Sequence, residues 1–180
     1  MYNRKEMMKI NNRLSDTIVN LINEQIWLEN NAAFYYLYLS IEFDKNGFNG
    51  ISTFFLNQSH EEREHMLKLI NYLLEEDCSP QLPNYNFLEE LEETFDVLSH
   101  FKNSLLNEKR VTDSINNIIA TCKKEGDYKT ENFMQWFVTE QREEETKFKS
   151  IIDDLKIIGK DGSGLYEINK QLGLMNPEED

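Results

Sequence analysis

Four stretches of this chain carry apolar side chains at spacings of three and four over many turns, and each stripe is broken by polar side chains near its own midpoint. The first reads Ile18, Ile22, Gln25, Glu29, Ala32, Tyr36, Leu39, Phe43, and the second Ile51, Phe55, Gln58, Glu62, His65, Leu69, Tyr72. The third reads Leu98, Phe101, Leu105, Glu108, Thr112, Ile115, Ile119, Cys122, and the fourth Met134, Phe137, Gln141, Glu144, Phe148, Ile151, Leu155, Ile158. Such spacing puts the whole set on one face of a helix. The chain is thereby committed to an all-α fold, a bundle of four long helices around one seam. Glu62 and His65 project from the same side of one turn, where a bundle should be apolar, and a glutamate is almost never buried unless it is paired or bound to a metal.

The connections set the order of the helices. Ser15-Asp16 starts the first. Lys45-Asn46-Gly47 and Asn49-Gly50 end it and turn the chain, so the second, from about Ile51 to Asp77, returns antiparallel. From Cys78 to about Glu93 the pattern dissolves, and near full extension that stretch reaches roughly 50 Å. The second helix, at about 1.5 Å per residue, is roughly 40 Å long. One long crossover can thus run the length of the bundle and leave helices two and three parallel. The third helix is expected to begin at Thr94 or Asp96, either a good N-cap. Glu125-Gly126-Asp127 then makes a tight turn into a fourth, antiparallel helix from about Tyr128 to Leu155 or a little beyond. Lys160 to Gly164 reads as a flexible turn, Leu165 to Leu172 as a short fifth helix, and Asn176 to Asp180 as an acidic tail. The expected division is an N-terminal extension over 1–14, the bundle over 15–158, and the short helix with its tail over 159–180.

The 33 acidic residues against 19 basic ones leave a net charge of -14, which speaks against nucleic acid or an anionic membrane as partner and suits cations. Met1 to Asn12 has no apolar run of the kind a signal peptide needs, and no segment approaches a membrane span; a cytoplasmic location is expected. Cys78 and Cys122 are too few and too far apart for a disulfide framework or a thiolate metal site, and are read as reduced thiols without a catalytic role. His60 and His100 are expected at or near the surface, and Trp136, Phe137 and Met134 in the core.

Midpoints of bundled helices lie at one height whichever way each helix runs, so Glu29, Glu62, His65, Glu108, Gln141 and Glu144 should converge. Four carboxylates in one apolar interior repel one another and shift toward protonation unless a cation neutralises them. Oxygen-rich donors with one imidazole and no thiolate suit iron or manganese. Glu62, central in the set, is the natural bridge between two ions. Glu29 with His65 would complete one coordination sphere, and Glu108 with Glu144 or Gln141 the other. Two such ions can be oxidised together by O2 or peroxide.

Glu62-Arg63-Glu64-His65, with Glu29 and Glu108 at these places and Glu140 to Glu145 following Gln135-Trp136-Phe137, closely resembles the non-haem ferritins of the bacterial type, whose di-iron helix bundles are well described. The resemblance runs from about residue 17 to 173 and takes in Leu165-Tyr166. It implies a ferritin-like four-helix bundle with a short fifth C-terminal helix, assembled as a hollow homo-oligomeric shell of two dozen copies. Such shells oxidise Fe2+ with O2 or H2O2 at an intra-subunit ferroxidase centre and store ferric mineral inside.

Carried onto this chain, the resemblance implies a first iron site of Glu29, Glu62 and His65 and a second of Glu62, Glu108 and Glu144, with Gln141 beside it. A third iron site would draw on Glu61, Glu140, Glu143 and Glu144, and Tyr36 would stand near the centre as hydrogen-bond donor or electron source. The three added acids also read as an ordinary solvated helix face, and Tyr36 as core. Bacterioferritins carry a second Glu-x-x-His where this chain has Gln141 and Glu144, and bind haem through a Met that would fall at Arg63; no haem is expected. Competing functions are another di-iron carboxylate oxidase, against which the missing second Glu-x-x-His and the short chain weigh, and a non-catalytic helical shell subunit, against which the intact seam carboxylates weigh. A DNA-protecting mini-ferritin would want a basic tail, which is absent.

Overall fold

Among the described residues, short polar side chains cap four of the five helices at their N-termini. The computed structural model describes residues 13–82, 95–159 and 161–175. Within them run α1 (Asp16–Lys45), α2 (Asn49–Glu75), α3 (Val97–Glu125), α4 (Tyr128–Ile158) and α5 (Gly162–Leu172). Ser15 accepts from the Ile18 amide at 3.2 Å, Asp96 from Ser99 at 2.8 Å, Asp127 from Thr130 at 3.0 Å and Asp161 from Gly164 at 2.8 Å, each satisfying an amide that the helix itself leaves open. α2 has no side-chain cap and follows a tight turn at Gly47, whose φ of 82° is left-handed.

Contacts between helices give their directions. Ser40 meets Ser52 at 3.2 Å and Ser59 donates to the Ala33 carbonyl at 2.7 Å, so α1 and α2 are antiparallel. Tyr72 meets Thr130 and Glu61 meets Lys147, so α2 and α4 are antiparallel as well. Phe43 packs on Phe101 while Tyr36 reaches Glu108, which sets α3 against α1. Helices α2 and α3 therefore run parallel, as the long connection requires. The middle of that connection, 83–94, lies outside the described residues, as do the candidate cap Thr94, the extension over 1–12, Lys160 and the tail over 176–180. Where the chain leaves α2, the Gln81 amide is tied to Asn23 at 2.7 Å.

The interior is divided in two. One end is largely aliphatic: Ile18, Ile22, Ile26, Leu69, Leu73, Val111, Ile115, Ile118 and Met134 pack together with Cys122. The other is aromatic: Tyr36, Phe43, Phe54, Phe55, Phe101 and Phe148 pack with Leu39, Ile51 and Leu155, their rings 5.0 to 6.4 Å apart in tilted, stacked and edge-on pairs. Truncating one such buried ring to alanine costs about 3–5 kcal/mol. Between the two ends lies a polar layer. Both cysteines are buried and unbonded to each other. Burial pushes the Cys122 thiol up to about 11 and raises that of Cys78, which keeps both in the unreactive thiol form.

Four placements differ from the sequence reading. His100 is buried, its ring 5.5 Å from that of Phe43; it belongs to the aromatic end and not to the surface. On α3 the innermost positions are Ser104 and Val111, with Leu105 and Thr112 only partly covered. Ser104 returns its hydroxyl to the His100 carbonyl at 3.0 Å, so a small polar residue can occupy a core position that apolar spacing passes over. Gly162 to Gly164 form the first turn of α5, since Asp161 caps it there. Asn49 and Gly50 already belong to α2. At Gly50 a Cβ would overlap the backbone oxygen of Asn169, while Asn169 Oδ1 accepts from the Ile51 amide at 3.0 Å. This close approach seats α5 against α2.

Candidate metal centre

Each long helix brings its polar residues to the layer between the two apolar ends: Glu29 from α1, Glu62 and His65 from α2, Glu108 from α3, Gln141 and Glu144 from α4. All six are buried. Ligand atoms of Glu29, Glu62 and His65 lie within 4.8 Å of one another. His65 Nδ1 is 3.1 Å from Glu62 Oε2, and Nε2 faces Glu140 Oε1 at 4.0 Å. The half-buried indole of Trp136 stands edge-on to the imidazole at 5.4 Å and holds that ring in place. Gln25 donates to Glu29 Oε1 at 2.7 Å, whereas Glu29 Oε2 is buried with no hydrogen-bond partner.

The α3–α4 side is arranged differently. Tyr36 donates to Glu108 Oε1. Gln141 Nε2 donates to Glu108 Oε2 at 3.0 Å and to the Glu108 carbonyl at 2.9 Å. Glu144 Oε1 accepts from Lys147 at 2.7 Å, and its Oε2 is buried without a partner. Of the remaining acids, Glu61 accepts from both Gln58 and Lys147, Glu140 is partly covered beside His65, and Glu143 is exposed on α4.

Electrostatics follow from burial. Loss of hydration, and then the charge of Glu62, pushes Glu29 up to about 8. Burial followed by the charge of Glu144 pushes Glu108 up to about 8. Burial, then the charges of Glu108 and Glu144, raises Glu62 well above the usual carboxylate range. Tyr36 is likewise raised by burial and then by Glu108, so its hydroxyl remains a donor. A multivalent cation reverses this balance: it restores the lost solvation and turns mutual repulsion into attraction, releasing protons as it binds. The unpartnered oxygens of Glu29 and Glu144, with the unpartnered amide oxygens of Gln25 and Gln58 nearby in sequence, are where such an ion finds open ligands. Buried oxygen donors with one imidazole fit iron or another divalent transition metal.

Three residues with a part in this geometry were given none from the sequence. Gln25 and Gln58 lie on the stripes, one turn before Glu29 and Glu62, and that spacing was the available signal. Lys147 follows Glu144 by three and falls beside the stripe, where a long cation ordinarily points to solvent. Among the described residues no helix is long and apolar enough to cross a membrane.

Residues 19–158 match the model of the ferritin-like domain family. The chain is 37% identical over 167 residues to a probable bacterial non-heme ferritin-like protein of Haemophilus influenzae, an alignment covering 89% of this chain and 96% of the relative. It is 39% identical over 154 residues to the bacterial non-heme ferritin of Campylobacter jejuni, covering 85% and 90%. Among solved structures it is similar to the open-pore ferritin of the archaeon Archaeoglobus fulgidus, with a TM-score of 0.85 at 32% identity, covering 91% of this chain and 99% of that one.

Proposed function

The chain belongs to the ferritin family, and from that premise we infer that it stores iron, oxidising Fe2+ at a centre inside each subunit and depositing ferric mineral within a hollow shell of identical subunits. The observation that carries this reading is the layer of four buried carboxylates and one imidazole, with Glu29, Glu62 and His65 already converged. Glu29, Glu62 and His65 hold one Fe2+, and Glu62, Glu108 and Glu144 the other, with Gln141 beside it and Glu62 as the bridge. Each ion gives up one electron and the oxidant, O2 or H2O2, takes up both. Protons held on the carboxyls leave as Fe2+ enters. Glu61, Glu140, Glu143 and Glu144 are the further acids beside this centre, and the cation that stands between Glu61 and Glu144 is the ammonium of Lys147. Tyr36, through Glu108, keeps the second position oriented, as groups behind a metal ligand do.

The shell is a 24-mer in the cytoplasm, built from the bundle over 15–158 with 159–180 as its C-terminal element. The net charge of -14 draws Fe2+ to it. Stopped-flow absorbance after mixing metal-stripped protein with a few Fe2+ per chain in air, on material sized by gel filtration, tests the reading. A fast transient on a shell-sized particle followed by slow mineral growth is the expected result. Oxidation no faster than in buffer overturns it.

A further inference from the structure

Beside the two-ion centre the protein supplies a cation of its own. Lys147 is only 11% exposed at its side chain, unusual for a lysine. Its Nζ lies 2.7 Å from Glu144 Oε1 and 3.3 Å from Glu61 Oε2, bringing together an acid of α4 and an acid of α2. Gln58 donates to that same Glu61 oxygen. Of the other two acids of the group, Glu140 has its Oε1 4.0 Å from His65 Nε2 and Glu143 is exposed.

A divalent ion bonded to both oxygens at about 2.1 Å would have to stand where Nζ stands. Two positive charges cannot share that place in a water-poor interior. We propose that Lys147 is a built-in cation that fills the position between Glu61 and Glu144, so that each subunit holds two metal ions and excludes a third. The proposal rests on the two-ion reading of the neighbouring centre and makes Lys147 the residue that sets its stoichiometry.

The test counts ions and does not depend on turnover. Crystals of the wild type, Lys147→Met and Lys147→Arg are soaked in Zn2+, a redox-inert stand-in, and anomalous peaks are counted; calorimetric Zn2+ titration of the assembled proteins gives the affinities. Two peaks per subunit are expected in the wild type and in Lys147→Arg. A third, between Glu61 and Glu144, is expected in Lys147→Met, with affinity at that position raised at least about tenfold. A third peak there in the wild type overturns the proposal, and so does its absence from Lys147→Met. Should Lys147→Met fail to assemble by gel filtration, Lys147→Gln makes the same comparison. Fewer than two peaks at Glu29, Glu62, His65, Glu108 and Glu144 in the wild type would instead overturn the two-ion reading itself.

Discussion

The two halves of the polar layer use the same kind of donor and prepare it in opposite ways. On α1 and α2, Glu29, Glu62 and His65 converge with little holding them but Gln25 and Trp136, and one Glu29 oxygen is left open. On α3 and α4, Glu108 is engaged at both oxygens by Tyr36 and Gln141, and Glu144 at one oxygen by Lys147, its other oxygen being open like that of Glu29. An ion entering the first half displaces protons. An ion entering the second must also exchange hydrogen bonds already made, including one to a charged ammonium, and such bonds are the strong ones. The first half should therefore fill first and tighter, and Glu62, shared between them, couples the two.

Replacing Glu62 tests that coupling with the largest effect. Glu62→Ala should abolish tight binding in both halves and slow initial Fe2+ oxidation by more than about 100-fold, beyond what loss of a supporting contact costs. His65→Ala should weaken the first ion and leave the second measurable. Equal, normal rates for both variants would remove the site assignment.

The pH dependence comes next. Glu29 and Glu108, held near 8, carry protons at pH 6 that an ion must expel, so affinity should rise about tenfold per pH unit for each proton released, levelling off above pH 8. Calorimetry in two buffers of different ionisation enthalpy counts those protons; a pH-independent affinity would break the argument. Stability of metal-stripped protein should run the other way. Because the folded values exceed the unfolded value of about 4.5, the folded state binds more protons, and its advantage is full below about 4.5 and lost as pH rises through about 8. Thermal melting of chelator-treated protein should show this fall, and Glu29→Gln with Glu108→Gln should flatten it.

Tyr36→Phe sharpens the comparison. It removes the donor to Glu108 while keeping the ring among Phe55 and Phe148, and should weaken the second ion by about tenfold with the first unchanged, as read by Zn2+ titration. A matching loss at the first would show that the halves are not separable. Gln25→Leu is the smallest: it frees Glu29 Oε1 and should cost the first ion about tenfold or less.

How far the sequence carries can be judged residue by residue. The stripe through Ile18, Glu29 and Phe43 predicted the face α1 buries, and the match of midpoints predicted that Glu29, Glu62, Glu108 and Glu144 meet at one height. Both inferences need only the helical repeat and the lengths of the connections. His100 and Ser104 were harder. A polar side chain on a core face is legible only when its partner is known, and the partner of Ser104 is a backbone carbonyl while the neighbour of His100 is a ring on another helix. Lys147 was passed over for the same reason: at its position spacing predicts a solvated side chain, and only the approach of Glu61 from α2 turns it inward.

The order and direction of the helices, the faces that α1, α2 and α4 bury and the level at which charge enters the core were determined by the sequence alone, because periodicity and chain reach are local properties. Which oxygen meets which donor, how strongly each carboxyl holds its proton, and which cation stands between Glu61 and Glu144 were decided only by the tertiary structure. Those quantities depend on desolvation and on distances of a few ångströms between helices far apart in the chain, and no local pattern records them.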